Sequence, residues 1–243
     1  MILNSSWMKL VKWCHPQFNI RDGCSKIRIG SFKYYRRMEA ENPAADRDEG
    51  THTVTHGNLG GKWLHPSAKE ALKPHYGEQT IDLIQNQNFI ISDNKFRTIY
   101  KNHYIWCSSM NEGTFSGHEN CNNYQVHDVH AFFEEMALVL SDNIKISDIV
   151  EQPLVQPSQI FRIGVKIEYV KSREEVISWN GTTDYCSPLP KKLWPYSIKS
   201  SRFEKEEEFR MIFVLHDGMG TEYEAASDYI DCNVSERLRQ LVS

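Results

Sequence analysis

The chain has 243 residues, with 28 Lys+Arg against 32 Asp+Glu, a formal charge of −4. At 40% hydrophobic and 25% charged it can bury a core, which excludes a disordered chain, a coiled coil and a disulfide miniprotein. The mild acidity argues against a generally basic nucleic-acid binder and leaves room for a local basic groove.

In chain order, Lys26–Phe32 alternates apolar and polar residues up to Gly30, which predicts a strand running into a turn. Tyr34–Glu39 follows as a short helix. Residues 42–61, with Pro43, Gly50, Gly57, Gly60 and Gly61, predict a polar loop with a hairpin at Thr51–Thr55. Ile81–Ile91 and Phe96–Ser109 are β-rich. Val126, Val129, Phe133, Met136 and Leu140 recur every three or four residues, which predicts a helix over 126–140. Phe161–Val170 alternates as a strand, 180–196 predicts a loop, and Glu206–Leu215 is strand-like. Ser235 predicts an N-cap on a short final helix. Strands outnumber helices and do not alternate with them regularly, so the expected class is α+β.

Four constellations carry chemistry. As a strand, residues 206–213 put Glu206, Glu208 and Arg210 on one face and Phe209, Met211 and Phe213 on the other. Two carboxylates beside a guanidinium can bind a ribose hydroxyl or stabilise a cationic transition state; the plainer alternative is an acidic edge that discourages strand pairing. On the early strand, Arg28 beside Gly30 can hold a phosphate where the missing side chain lets a ligand approach, and Tyr34 and Tyr35 can stack on a ring. Ser108 and Ser109 close the stretch Trp106-Cys107-Ser108-Ser109, where hydroxyls can orient a carboxylate or ribose. His127, His130 and Glu134 fall on one face of the expected helix, a spacing open to zinc or iron, or to no more than a polar surface. Cys14, Cys24, Cys107, Cys121, Cys186 and Cys232 are scattered without a CxxC pair, and free thiols are expected.

Arg28 within Ile27-Arg28-Ile29-Gly30, Cys107-Ser108-Ser109 and Glu206-Glu207-Glu208, in this order, resemble the Arg-Ser-Glu branch of the ADP-ribosyltransferase superfamily. Segments Arg28–Arg36 and Ala45–Gly50, the Tyr169 strand, and Lys199 through Arg210 resemble a bacterial toxin-like and anti-phage defence group within it. The resemblance implies a split β-sandwich with peripheral helices, forming a single domain over 1–243. It also implies NAD as substrate. Arg28 would hold the phosphates, with Gly30, Ser31, Tyr34, Tyr35, Ser108, Ser109 and Arg210 around the dinucleotide. Glu208 would stabilise the oxocarbenium ion, held in place by Ser108, and Glu206 would serve the acceptor. Two departures stand: Cys107 replaces the usual Ser or Thr, and Arg28 lies two residues before its Gly. Within the acidic run, Glu204, Glu206, Glu207 and Glu208 leave the register open, and Phe209-Arg210 favours Glu206 and Glu208.

The implied acceptor is a nucleic acid, RNA ahead of DNA, or a protein. An mRNA-modifying toxin restrained by an antitoxin protein, in a toxin–antitoxin–chaperone system, is the corresponding biology. The alternatives are a metal-dependent hydrolase or nuclease built on His127, His130 and Glu134, and a non-catalytic nucleotide-sensing module. Lys9, Lys12, Arg21, Lys26, Lys33, Arg36 and Arg37 could follow a single strand with Trp7 and Trp13, or balance the acidic C-terminal third. The opening residues show no secretory pattern, and no apolar run reaches the ~18–20 residues of a membrane span, so a cytoplasmic protein without membrane association is expected.

Overall fold

A computed structural model describes residues 9–40, 51–56, 59–60, 90–91, 94–99, 101–111, 113, 121–150, 157, 159–171, 174–177, 194–219 and 221–243. The strands are β1 (Leu10–Cys14), β2 (Lys26–Ser31), β3 (Thr51–His56), β4 (Leu59–Gly60), β5 (Ile90–Ile91), β6 (Asn94–Ile99), β7 (Tyr104–Ser109) and β8 (Asn122–Val126). They continue as β9 (Gln159–Lys166), β10 (Glu168–Val170), β11 (Glu174–Ile177), β12 (Ile198–Ser200), β13 (Glu208–His216), β14 (Glu222–Tyr223) and β15 (Tyr229–Asn233). The helices are α1 (Phe32–Ala40), α2 (Val129–Asn143), α3 (Trp194–Ser197) and α4 (Glu236–Gln240), with 3-10 turns at Pro16–Phe18, Ile146–Asp148 and Ser201–Glu206. The class is mixed α+β, mostly antiparallel sheet with few helices.

The chain divides into two compact units. One draws on Met1–Glu49, Lys101–Tyr169 and Ser201–Ser243, the other on Gly50–Tyr100 and Val170–Ser200. In the second unit β3 pairs antiparallel with β6, Thr51 opposite Ile99, and parallel with β11, Thr53 opposite Glu174. The expected hairpin at Thr51–Thr55 is therefore replaced by a strand whose partners lie far along the chain. Of the other expectations here, 81–89 and 180–193 lie outside the described residues.

The first unit holds an eight-stranded sheet with the order β14-β13-β7-β1-β8, β9 beside β13, and β2 linking β7 to β15. Alternation sorts its two faces. Ile27 and Ile29 of β2, Tyr104 and Trp106 of β7, and Phe209, Met211, Phe213 and Leu215 of β13 enter one core. α2 packs on that face through Phe132, Met136 and Leu140, all fully buried, with the Phe132 ring 5.1 Å from that of Trp106. α2 begins three residues later than its periodicity suggests, because Asp128 caps it, accepting from Ala131 N at 2.9 Å, and Val126 belongs to β8. The opposite face carries Arg28, Gly30, Cys107, Ser109, Glu208 and Arg210, as the registers Glu208↔Ser109, Arg210↔Cys107 and Gly30↔Ile105 require. Among the described residues, no helix is long and apolar enough to cross a membrane.

Candidate functional site

The site begins with a break in the ladder. β7 pairs with β13 along its whole length, but its other edge is shared: β2 takes Tyr104 and Ile105, and β1 takes Ser109. Between them, Trp106, Cys107 and Ser108 face neither strand in register. The Cys107 carbonyl finds a donor there in Lys12 Nζ at 2.7 Å. A cavity of about 340 Å³ lies in this gap. Its walls carry the rings of Trp13, Phe18, Tyr34, Tyr35, Trp106 and Tyr124, and its charged or basic groups are Lys12, His15 and Arg28. No carboxylate is among the described residues that line it.

Arg28 reaches the cavity from β2 as a held cation. Its Nε and Nη2 donate to Asp231 Oδ1 and Oδ2 at 2.7 and 2.8 Å. Its guanidinium carbon lies 3.6 Å from the Tyr229 ring centre and 4.7 Å from that of Phe18. The Asp231 bond keeps it protonated well above even the ordinary arginine range. Tyr34 and Tyr35 come from α1, whose first turn is capped by Ser31: its Oγ accepts from Tyr34 N at 3.2 Å. Ser31, expected to touch the dinucleotide, is instead a fully buried cap on the core side. Gly30 allows both rings to lie on the sheet, since a Cβ there would stand 2.6 Å from Tyr35 Cε2. Burial pushes the Tyr35 phenol well above its usual range, helped by Cys107, Tyr34 and Glu208 and opposed by Arg210.

The acidic run differs from expectation. Glu206 ends the 3-10 turn rather than starting the strand, and Glu207 has φ 42°, a left-handed conformation that costs a non-glycine residue of the order of 1 kcal/mol. The strand starts at Glu208, so Glu206 and Glu208 do not share a strand face. The kink is held by Glu207 O accepting from Met110 N at 2.9 Å. Glu208 is buried, with Oε1 2.5 Å from Arg210 Nε, and its own N donates to Tyr169 Oη at 2.7 Å. Ser108 does not hold this carboxylate: it faces the core and donates to Phe209 O at 3.3 Å. Ser109 is the residue opposite Glu208, and its Oγ donates to Glu206 O at 2.7 Å.

The structure thus brings Arg28, Tyr34 and Tyr35 to one cavity and places Glu208, Arg210 and Ser109 farther along the same sheet face, outside the cavity lining. The metal alternative loses its premise. His127 precedes the helix, so it shares no helical face with His130 and Glu134, and Glu134 lies 3.3 Å from Arg162. Among the described residues no group of His, Cys, Asp or Glu is set to hold a metal. The five described cysteines are free thiols, and Cys186 lies outside the described residues.

Sequence reasoning missed Asp231, Tyr229, Phe18 and the Lys12 contact. Tyr229–Asn233 does alternate about Ile230 and Cys232, a signal for the strand that carries Asp231. No family model, curated protein or solved structure matches this chain.

Proposed function

We propose that the chain is an NAD-dependent ADP-ribosyltransferase of the split β-sandwich type, acting on a nucleic acid, RNA first. One observation carries the reading: the gap in the ladder is lined by rings and by cations, with no carboxylate among the described residues of its lining, which suits a nucleotide with its phosphates. At 340 Å³ the cavity lies near the lower end of the roughly 300–1,000 Å³ usual for small-molecule sites, enough for one half of a dinucleotide.

In this scheme Arg28 binds the pyrophosphate, and one of the two tyrosines stacks on the nicotinamide. Glu208, oriented by Arg210, stabilises positive charge on the ribose as the N-glycosidic bond breaks and nicotinamide leaves with the bond's electron pair. The acceptor's nucleophile then forms the new bond to the same ribose carbon, and its proton passes to a base on the acceptor side, Glu206. Tyr35 lines the cavity, and Glu208 stands farther along the same sheet face.

The test is transfer from labelled NAD to RNA, DNA and lysate protein, with nicotinamide release followed in parallel. Wild type should transfer label and Glu208→Gln should not; because that change also takes the carboxylate from the buried Arg210 and lowers the thermal midpoint, circular dichroism should show the variant folded at the assay temperature. Normal transfer by Glu208→Gln overturns the assignment of Glu208. Binding of NAD with no turnover on any acceptor leaves a nucleotide sensor in place of the enzyme.

A further inference from the structure

Arg28 and Asp231 are opposite one another on β2 and β15, although 203 residues apart in the chain. The guanidinium has five N–H donors in one plane. Asp231 takes two of them, Nε and one on Nη2, and the central carbon lies over the rings of Tyr229 and Phe18, 3.6 and 4.7 Å from their centres. The remaining donors lie on Nη1 and Nη2, where the Tyr34 side chain is a further hydrogen-bond partner of the guanidinium. Arg28 lines the cavity and Asp231 does not. The side chains keep 26% and 35% of their surface exposed, and an ion pair so exposed adds little to folding.

We propose that Asp231 is a positioning residue that sets Arg28 as a two-pronged phosphate clamp, so that the cavity selects a nucleoside diphosphate group over an uncharged nucleoside. The inference rests on the reading of this cavity as a nucleotide site.

Two effects of Asp231 oppose each other. Its negative charge weakens the pull of Arg28 on an anion. Its geometry keeps the free edge aimed, so that a phosphate meets two prealigned donors and no rotamer freedom is lost on binding. Water screens the charge at this exposure, and Asp231 occupies the Nε–Nη2 edge, so a phosphate on the Nη1–Nη2 edge sits beside it on the adjacent edge and not against it. Alignment therefore dominates.

Calorimetric titration of the full chain with ADP and with adenosine separates the possibilities. Wild type should bind ADP more tightly than adenosine. Asp231→Asn should weaken ADP by about tenfold and leave adenosine within about twofold, because only the phosphate contact changes. Arg28→Lys, which keeps the charge and removes the fork, should show the same pattern and serves if Asp231→Asn fails to fold. Unchanged or tighter ADP binding by Asp231→Asn overturns the positioning role while leaving the cavity a nucleotide site. Parallel loss of both ligands with a lowered thermal midpoint makes the pair merely structural and also overturns it. A wild-type protein that binds neither ligand removes the nucleotide reading and this proposal together. ADP binding without NAD turnover removes only the transferase.

Discussion

Tyr35 rests directly on Gly30: a methyl group on Gly30 would come within 2.6 Å of Tyr35 Cε2 and 2.9 Å of Tyr34 Cδ1. Both rings line the cavity, so this backbone position sets its wall. Gly30→Ala should push the tyrosines off the sheet, destabilise the fold by about 1–3 kcal/mol through overpacking, and weaken nucleotide binding. Gly23→Ala is the comparison. Gly23 has φ +96°, and a methyl group there would meet nothing within 4 Å, so the substitution should cost about 1 kcal/mol of backbone strain and leave binding unchanged. Urea denaturation and titration with ADP check both variants.

Arg210 is 1% exposed and sits 2.5 Å from the buried Glu208 carboxylate. Arg210→Met leaves that charge in a dry environment without its guanidinium and should cost about 3–5 kcal/mol. Adding Glu208→Gln removes the charge as well, so the double variant should recover part of the loss. A double-mutant cycle in urea should give a coupling of about 1–3 kcal/mol. Additive costs would mean that the two side chains are held independently by the rest of the site.

Alternation along single strands was the most legible part of this molecule. Ile27 and Ile29 go into the core while Arg28 and Gly30 go to the other face, and Phe209, Met211 and Phe213 separate from Arg210 in the same way. A period-2 pattern needs only local information. The strand boundary inside Glu204–Glu208 was not legible, because the residue that takes the left-handed conformation is Glu207 and no glycine marks it. Asp231 was invisible for another reason: its meaning comes from a partner 203 residues away, through a pairing that periodicity does not encode. The division into two units was hidden likewise, since each unit is assembled from separated segments without a linker to announce it.

Ser235 fastens the last helix twice. Its Oγ accepts from Leu238 N at 3.0 Å, the cap expected from the sequence, and donates to Glu135 Oε1 on α2 at 2.6 Å. Ser235→Ala should therefore cost more than the ~1 kcal/mol of a lost cap, since it also strips a donor from a carboxylate that is 8% exposed. A total of about 2 kcal/mol is expected. Glu135→Gln, which can still accept that bond, should cost less, and thermal unfolding of the two variants decides it.

His103 is 4% exposed, and burial, helped by Lys101, pushes its imidazole from 6.5 down to about 4. Its carbonyl accepts from Phe32 N, at the point where β7 meets α1. Because the folded value lies below the unfolded one, the unfolded chain binds more protons between the two. Stability should fall as pH drops from about 6.5 to about 4, by up to about 3 kcal/mol, with no further change from this group below that. Asp217 acts in a separate window. Hydrogen bonds from Thr221 and Met219 hold its carboxyl down at about 2, so its contribution fades only as pH falls from 3.8 toward 2. Denaturant midpoints measured from about pH 7 to about pH 4 should slope downward in wild type and flatten in His103→Gln, and an unchanged slope in that variant would assign the acid sensitivity to other groups.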